Sequence, residues 1–161
     1  MHLFTLLAAK RGYQLACKLA PKLPQAPLAW ALVKGLNHEL RQEIEAGEFD
    51  FLDGKVLAIA VKDLAIQCAL TKQGPRLVAA SRHQVADATI AAVLPDLVAI
   101  IVGREDPDTL FFQRKLSISG DTELGLTAKN RLDAVDKNRL AQWLQKGLNT
   151  MDKTLAQVVA P

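Results

Sequence analysis

Three histidines, two cysteines and a scatter of serines and carboxylates are the side chains here that could do covalent or metal chemistry. His2 and His38 lie far apart in the chain. His83 and Asp87 are four residues apart, the spacing of a ligand pair on a helix. Their surroundings read as a turn entering a strand, where that spacing does not converge on one ion. Cys17 and Cys68 show neither CxxC nor His-paired spacing, so they read as buried small hydrophobes rather than ligands or a disulfide. Ser81, Ser117 and Ser119 lack the GxSxG setting of an activated nucleophile. No phosphate-cradling GxxxxGK and no GxGxxG is present. Glu43, Glu45, Glu48 and Asp50 cluster only at an expected helix end and turn, where carboxylates are ordinarily solvated. No catalytic residue, metal or cofactor is therefore expected. Binding is the better expectation.

The elements that would position a binding site follow from periodicity. A helix is predicted over 2–20, stopped by Pro21, with a stiff connector through Pro24 and Pro27. Leu28, Leu32, Leu36, Leu40 and Ile44 recur every four residues and predict a second helix ending at Gly47, its apolar stripe widened by Trp30 and Val33. The segment 55–62, KVLAIAVK, is apolar on both faces and predicts a strand covered on both sides. Leu64, Ile66, Cys68 and Leu70 alternate with smaller or polar residues and predict a second strand, turned at Gln73-Gly74-Pro75. Further strands are predicted over 76–81, 85–91 and 116–119, with a helix over 97–102 opened by Pro95 and closed by Gly103. Strands linked by short turns favour an antiparallel-rich α+β sheet of five strands. The segment 139–159 is amphipathic, with Leu140, Trp143, Leu144, Leu148 and Met151 on one stripe.

The most strongly punctuated stretch is DPDTLFFQRKLSISGDTELGLTAKNRLDAV, residues 106–135. Asp106 suits a helix cap and Pro107 the first helical position. Gly120 breaks a short strand and Asp121 caps a helix with Leu124, Ala128, Leu132 and Val135 on one face. The combination DP…FFQ.KL.I.GD..LG…KN resembles the signature of the sterol-carrier-protein type-two domain family, and VADATI at 85–90 resembles its preceding strand. Within that family the chain is similar to the small bacterial members that act as accessory factors in ubiquinone biosynthesis. Capping and core packing alone also account for every residue of the stretch.

The resemblance implies one twisted sheet covered by helices, with an apolar lipid tunnel between the layers. It covers residues 48–135 well, so 1–47 reads as a helical leading segment and 48–161 as the lipid-binding domain, in one compact unit. The tunnel wall is expected from Leu57, Ile59 and Val61, from Leu97, Ile100 and Ile101, and from Phe111, Phe112 and Leu116. Trp143 and Leu144 are expected to close its end. Periodicity by itself leaves a packed core equally open. The implied role is to hold a prenylated quinone precursor for hydroxylase-type partner proteins of the oxygen-independent ubiquinone route, without oxidising it. A phospholipid carrier (of phosphatidic acid, for example) and a non-enzymatic scaffold are the alternatives.

Composition sets the remaining bounds. The 161 residues suffice for one core, 50% are hydrophobic, and only 5% are aromatic. No apolar run approaches a membrane span. At the amino terminus the positive charges follow the apolar run, the reverse of a signal peptide, so mature cytoplasmic protein is expected. The net charge of +3 is unevenly placed. Residues 1–38 carry Lys10, Arg11, Lys18, Lys22 and Lys34 and no acid. Lys10, Arg11 and Lys18 are the candidates for peripheral contact with an anionic inner-membrane surface. Without a dense basic stripe interleaved with aromatics, nucleic acid is not expected as a partner.

Overall fold

The doubly apolar run becomes β1 (Leu57–Val61), the centre of a five-stranded sheet, in the computed structural model. Residues 2–22, 24–81, 83–136 and 153 are described, residues 2–10 and 28 by backbone only. The other strands are β2 (Ile66–Gln73), β3 (Arg76–Ala79), β4 (Ala88–Ala92) and β5 (Ser117–Gly120), in the order β3-β2-β1-β4-β5. Only the β1–β4 pair is parallel. The helices are α1 (His2–Leu19), α2 (Gln25–Glu39), α3 (Arg41–Glu45), α4 (Leu94–Ile101), α5 (Pro107–Phe112) and α6 (Thr122–Ala134). The helix expected over 139–159 lies outside the described residues, apart from Lys153.

Register assigns the faces. Leu57, Ile59 and Val61 stand opposite Leu70, Cys68 and Ile66 on one side and Ala88, Ile90 and Ala92 on the other, all pointing to one face. There they meet Val33 and Leu40, Ile44 of α3, and Leu124 and Ala128 of α6 in a single core. The opposite face carries small residues, including Ala58, Ala60, Ala69 and Ala91.

Several boundaries differ from the periodicity, each for a local reason. The helix expected to run unbroken to Ile44 is interrupted at Leu40, whose φ of −101° and ψ of 17° leave the helical region. Gly47 ends α3 with φ +80° as expected. Trp30 does not widen the buried stripe: Val33, Leu36 and Leu40 face the core, and Trp30 is 62% exposed beneath the Lys34 ammonium, 4.9 Å away. β2 starts at Ile66 rather than Leu64 because residues 62–65 form the turn, with Ala65 at φ +51°. β3 stops at Ala79, short of Ser81. β4 starts at Ala88, because Asp87 is spent on a hook. Its N–H donates to the Val56 carbonyl at 2.8 Å, and its Oδ2 accepts the Val56 N–H at 2.7 Å. Val85, expected in that strand, is 88% exposed. The helix opened by Pro95 runs from Leu94, with Pro95 in its first turn as expected. Leu116 precedes β5 and is buried.

Asn37, which periodicity did not single out, ties α2 to the sheet edge. Its Oδ1 accepts the Leu77 N–H at 2.9 Å and its Nδ2 donates to the Leu77 carbonyl at 2.7 Å. One amide thus satisfies both outward backbone groups of a residue in the edge strand β3, which would otherwise be open to pairing.

Candidate functional site: an apolar face with two cavities

The punctuated stretch turns out to be frame. Asp106 caps α5 by accepting the Thr109 N–H at 2.8 Å, and Asp121 caps α6 by accepting the Leu124 N–H at 3.0 Å. Gly120 has φ +81°, and a Cβ there would lie 2.4 Å from the Asp87 carbonyl oxygen. That close approach lets the Asp121 N–H donate to the same oxygen at 2.7 Å. A Cβ on Gly125 would stand 2.3 Å from Ile118 Cγ2, so this glycine sets how closely α6 lies on the sheet. The buried Lys129 ammonium of α6 pairs with Asp108 of α5. Asp108 and Asp121 therefore hold elements together, and Asp106 caps its own helix.

Two spaces border the sheet, one on its apolar face and one at the β1–β2 end, where residues of both faces meet. The first is enclosed, about 20 Å³, between Leu36, Leu40, Leu57, Ile59, Leu70 and Leu132. That is room for about one water-sized sphere. Between these side chains the interior is filled core, and a lipid tail would have to displace side chains to enter. The second is an open groove of about 870 Å³ between residues 21–29, which join α1 to α2 and open α2, and the β1–β2 turn. Ala26, Ala29, Ala60 and Ala69 are among its walls, with Val61 and Ile66 from the core-facing side and Lys22 and Lys62 among the polar residues.

The expected wall residues separate by position. Leu57 and Ile59 line the enclosed space and Val61 lines the groove. Leu97, Ile100 and Phe111 are half-buried against the core, and Leu116 is buried within it. Ile101 and Phe112 are exposed, at 40% and 82%, with the Phe112 ring edge-on to Phe111 at 6.0 Å. Trp143 and Leu144 lie outside the described residues. Arg11 and Lys18 are exposed on α1, and Lys10 is described by backbone only.

One carboxylate near these spaces is committed to structure. Asp63, in the β1–β2 turn, accepts the Leu94 N–H at the start of α4 at 2.9 Å and the Tyr13 hydroxyl of α1. Burial, and then the Asp63 carboxylate, push the Tyr13 phenol above its ordinary value. Burial likewise raises the Cys68 thiol, which makes it a poor nucleophile. Partial burial raises the Asp96 carboxyl, against the opposing pull of Lys115. His83 is exposed, and among the described residues no three His, Cys, Asp or Glu side chains gather as metal ligands. None of the helices among the described residues is long and apolar enough to cross a membrane.

A five-stranded, mostly antiparallel sheet with helices packed on its apolar face defines an α+β domain. The chain belongs to the SCP-2 sterol transfer family, whose model matches residues 34–133. The ubiquinone biosynthesis accessory factor UbiT of Escherichia coli (strain K12) is 38% identical over 130 aligned residues, covering 74% of each chain. Sterol carrier protein 2 of Gallus gallus is 33% identical over 102 residues, which span 60% of this chain and 18% of that protein. Among solved structures, a UbiJ-SCP2 ubiquinone synthesis protein superposes with a TM-score of 0.56 at 21% identity, over 70% of this chain and all of that one. That likeness supports the fold.

Proposed function

We propose that this chain is a non-enzymatic lipid-binding accessory factor of ubiquinone biosynthesis. It holds the hydrocarbon tail of a prenylated quinone precursor against the apolar face of the sheet. The observation that carries this reading is the 38% identity to UbiT across 74% of both chains. The geometry supports it through an apolar sheet face and polar groups engaged in caps and clamps. Leu57, Ile59, Val61, Leu97, Ile100, Phe111 and Leu116 form the wall, with Ile101 and Phe112 at its outer rim. Each CH₂ removed from water contributes about 0.8 kcal/mol, so even a partly sheltered prenyl chain is well held. The ring of the precursor stays accessible to hydroxylase-type partners, which supply the chemistry.

Solvent extraction of freshly purified protein, followed by mass spectrometry, tests this reading. A prenylated quinone precursor is the expected species. A phospholipid would transfer the site to the carrier alternative, and an empty protein that still binds pathway proteins would make it a scaffold. Peripheral membrane contact through the leading segment is part of the same proposal. Exposed Leu15, Leu19 and Trp30 accompany the exposed Arg11 and Lys18 there, so apolar and basic groups are offered together. Flotation with anionic but not neutral vesicles is expected; indifference to vesicle charge sinks that part.

A further inference from the structure

We propose that the open groove beside the start of α2 is the port through which an anionic-headed amphiphile reaches the apolar interior, with its head held near Lys22 and Lys62. The inference rests on the carrier reading and names the entrance and the head-group class.

Two elements run from one space to the other. β1 contributes Leu57 and Ile59 to the enclosed cavity and Val61 to the groove, all on one face of the sheet. α2 contributes Leu36 to the cavity and Ala29 to the groove. The strand path from residue 57 to 61 is about 13 Å. The helix path from residue 29 to 36 is about 10 Å. The two spaces therefore lie along one row of β1 side chains, apolar throughout, with α2 packed over the neighbouring strands β2 and β3 and with Ile59 and Cys68 standing opposite each other midway.

The groove is built to stay open. Its alanines Ala29, Ala60 and Ala69 are only half-buried, at places where larger apolar side chains would gain stability by filling the volume. Its polar groups suit an anion. Lys22 and Lys62 are the ionisable residues among its described lining, and amides of Gln25 and Gln67 stand with them. Both lysines are exposed, and neither meets a carboxylate among the described residues. A carboxylate or phosphate head satisfies them, while the tail follows the Val61–Ile59–Leu57 row inward.

The test is stopped-flow uptake of cis-parinaric acid, with the matching alcohol as the probe lacking a charged head. Lys22→Glu/Lys62→Glu is expected to slow association of the acid about tenfold at low salt, and to leave the alcohol nearly unchanged. Ala29→Phe is expected to slow both probes. Ala26→Phe, at an exposed groove position, gives the same reading should Ala29→Phe fold poorly. Displacement of the acid by a prenylated benzoate or by phosphatidic acid supports the port and tells the two head-group sources apart. Unchanged uptake of both probes by folded variants overturns the port while the carrier reading stands. No uptake of either probe by the unaltered chain overturns both.

Discussion

The two sides of the sheet's apolar face are held in different ways. On the β4–β5 side, α5 and α6 are fixed by directed contacts: the Asp121 N–H on the Asp87 carbonyl, the Lys129–Asp108 pair, and a glycine pressed against Ile118. On the β1–β2–β3 side, α2 rests on aliphatic packing and on one amide clamp, Asn37, and both spaces lie beneath or beside it. The most recognisable residues thus build a rigid frame. The plainest residues, alanines and aliphatics, border the two spaces that we propose a lipid uses. A carrier needs both, because a tail can enter a packed core only where one layer can yield without unfolding the other.

The sharpest way to break this contrast is to attack the rigid side. Gly125→Val puts a branched side chain where even a Cβ would meet Ile118 Cγ2, and α6 cannot back away without straining the Asp121 N–H bond to the Asp87 carbonyl and the Lys129 pair. A loss of about 3 kcal/mol in urea unfolding is expected. Ile118→Ala in the same chain should return part of it, giving a clear coupling term. A loss near zero would show that α6 is as yielding as α2. On the other side, Asn37→Ala leaves the Leu77 N–H and carbonyl without their partner. A cost of about 2 kcal/mol is expected, with faster amide exchange at Leu77. If stability falls without that local signature, the clamp is not what holds α2 to the edge.

The fold was legible where pattern and punctuation coincide. Asp106 and Asp121 cap the helices expected of them, and the doubly apolar 57–61 run is the central strand. The errors fall where a side chain serves a distant backbone. Asp87 bonds Val56, thirty-one residues away, and so delays β4; no local pattern announces that. Trp30 looked like core because it is apolar, yet the Val33–Leu36–Leu40 stripe carries it round to solvent. Asn37 was passed over because an amide on a helix has many uses, and its partner lies forty residues on. The groove was invisible for another reason. An alanine carries no signal of emptiness, and only the placement of residues 21–29 against the β1–β2 hairpin turns Ala29, Ala60 and Ala69 into walls.

The smallest effect probes the joint between the two sides. Asp63 takes the Tyr13 hydroxyl from α1 and the Leu94 N–H from α4, so the leading helix is tied to the turn that borders the groove. Tyr13→Phe should cost about 1 kcal/mol near neutral pH, where Asp63 keeps its bond to α4. The pH dependence has a definite sign. The Tyr13 phenol is raised in the fold by burial and by Asp63, so the folded chain keeps that proton more tightly than the unfolded chain. The stabilisation is complete below the unfolded value of about 10 and declines as pH rises beyond it. The wild-type and Tyr13→Phe stabilities should therefore converge in alkaline solution. A gap that stays constant with pH would mean that packing of the ring, rather than its hydroxyl, joins α1 to the groove.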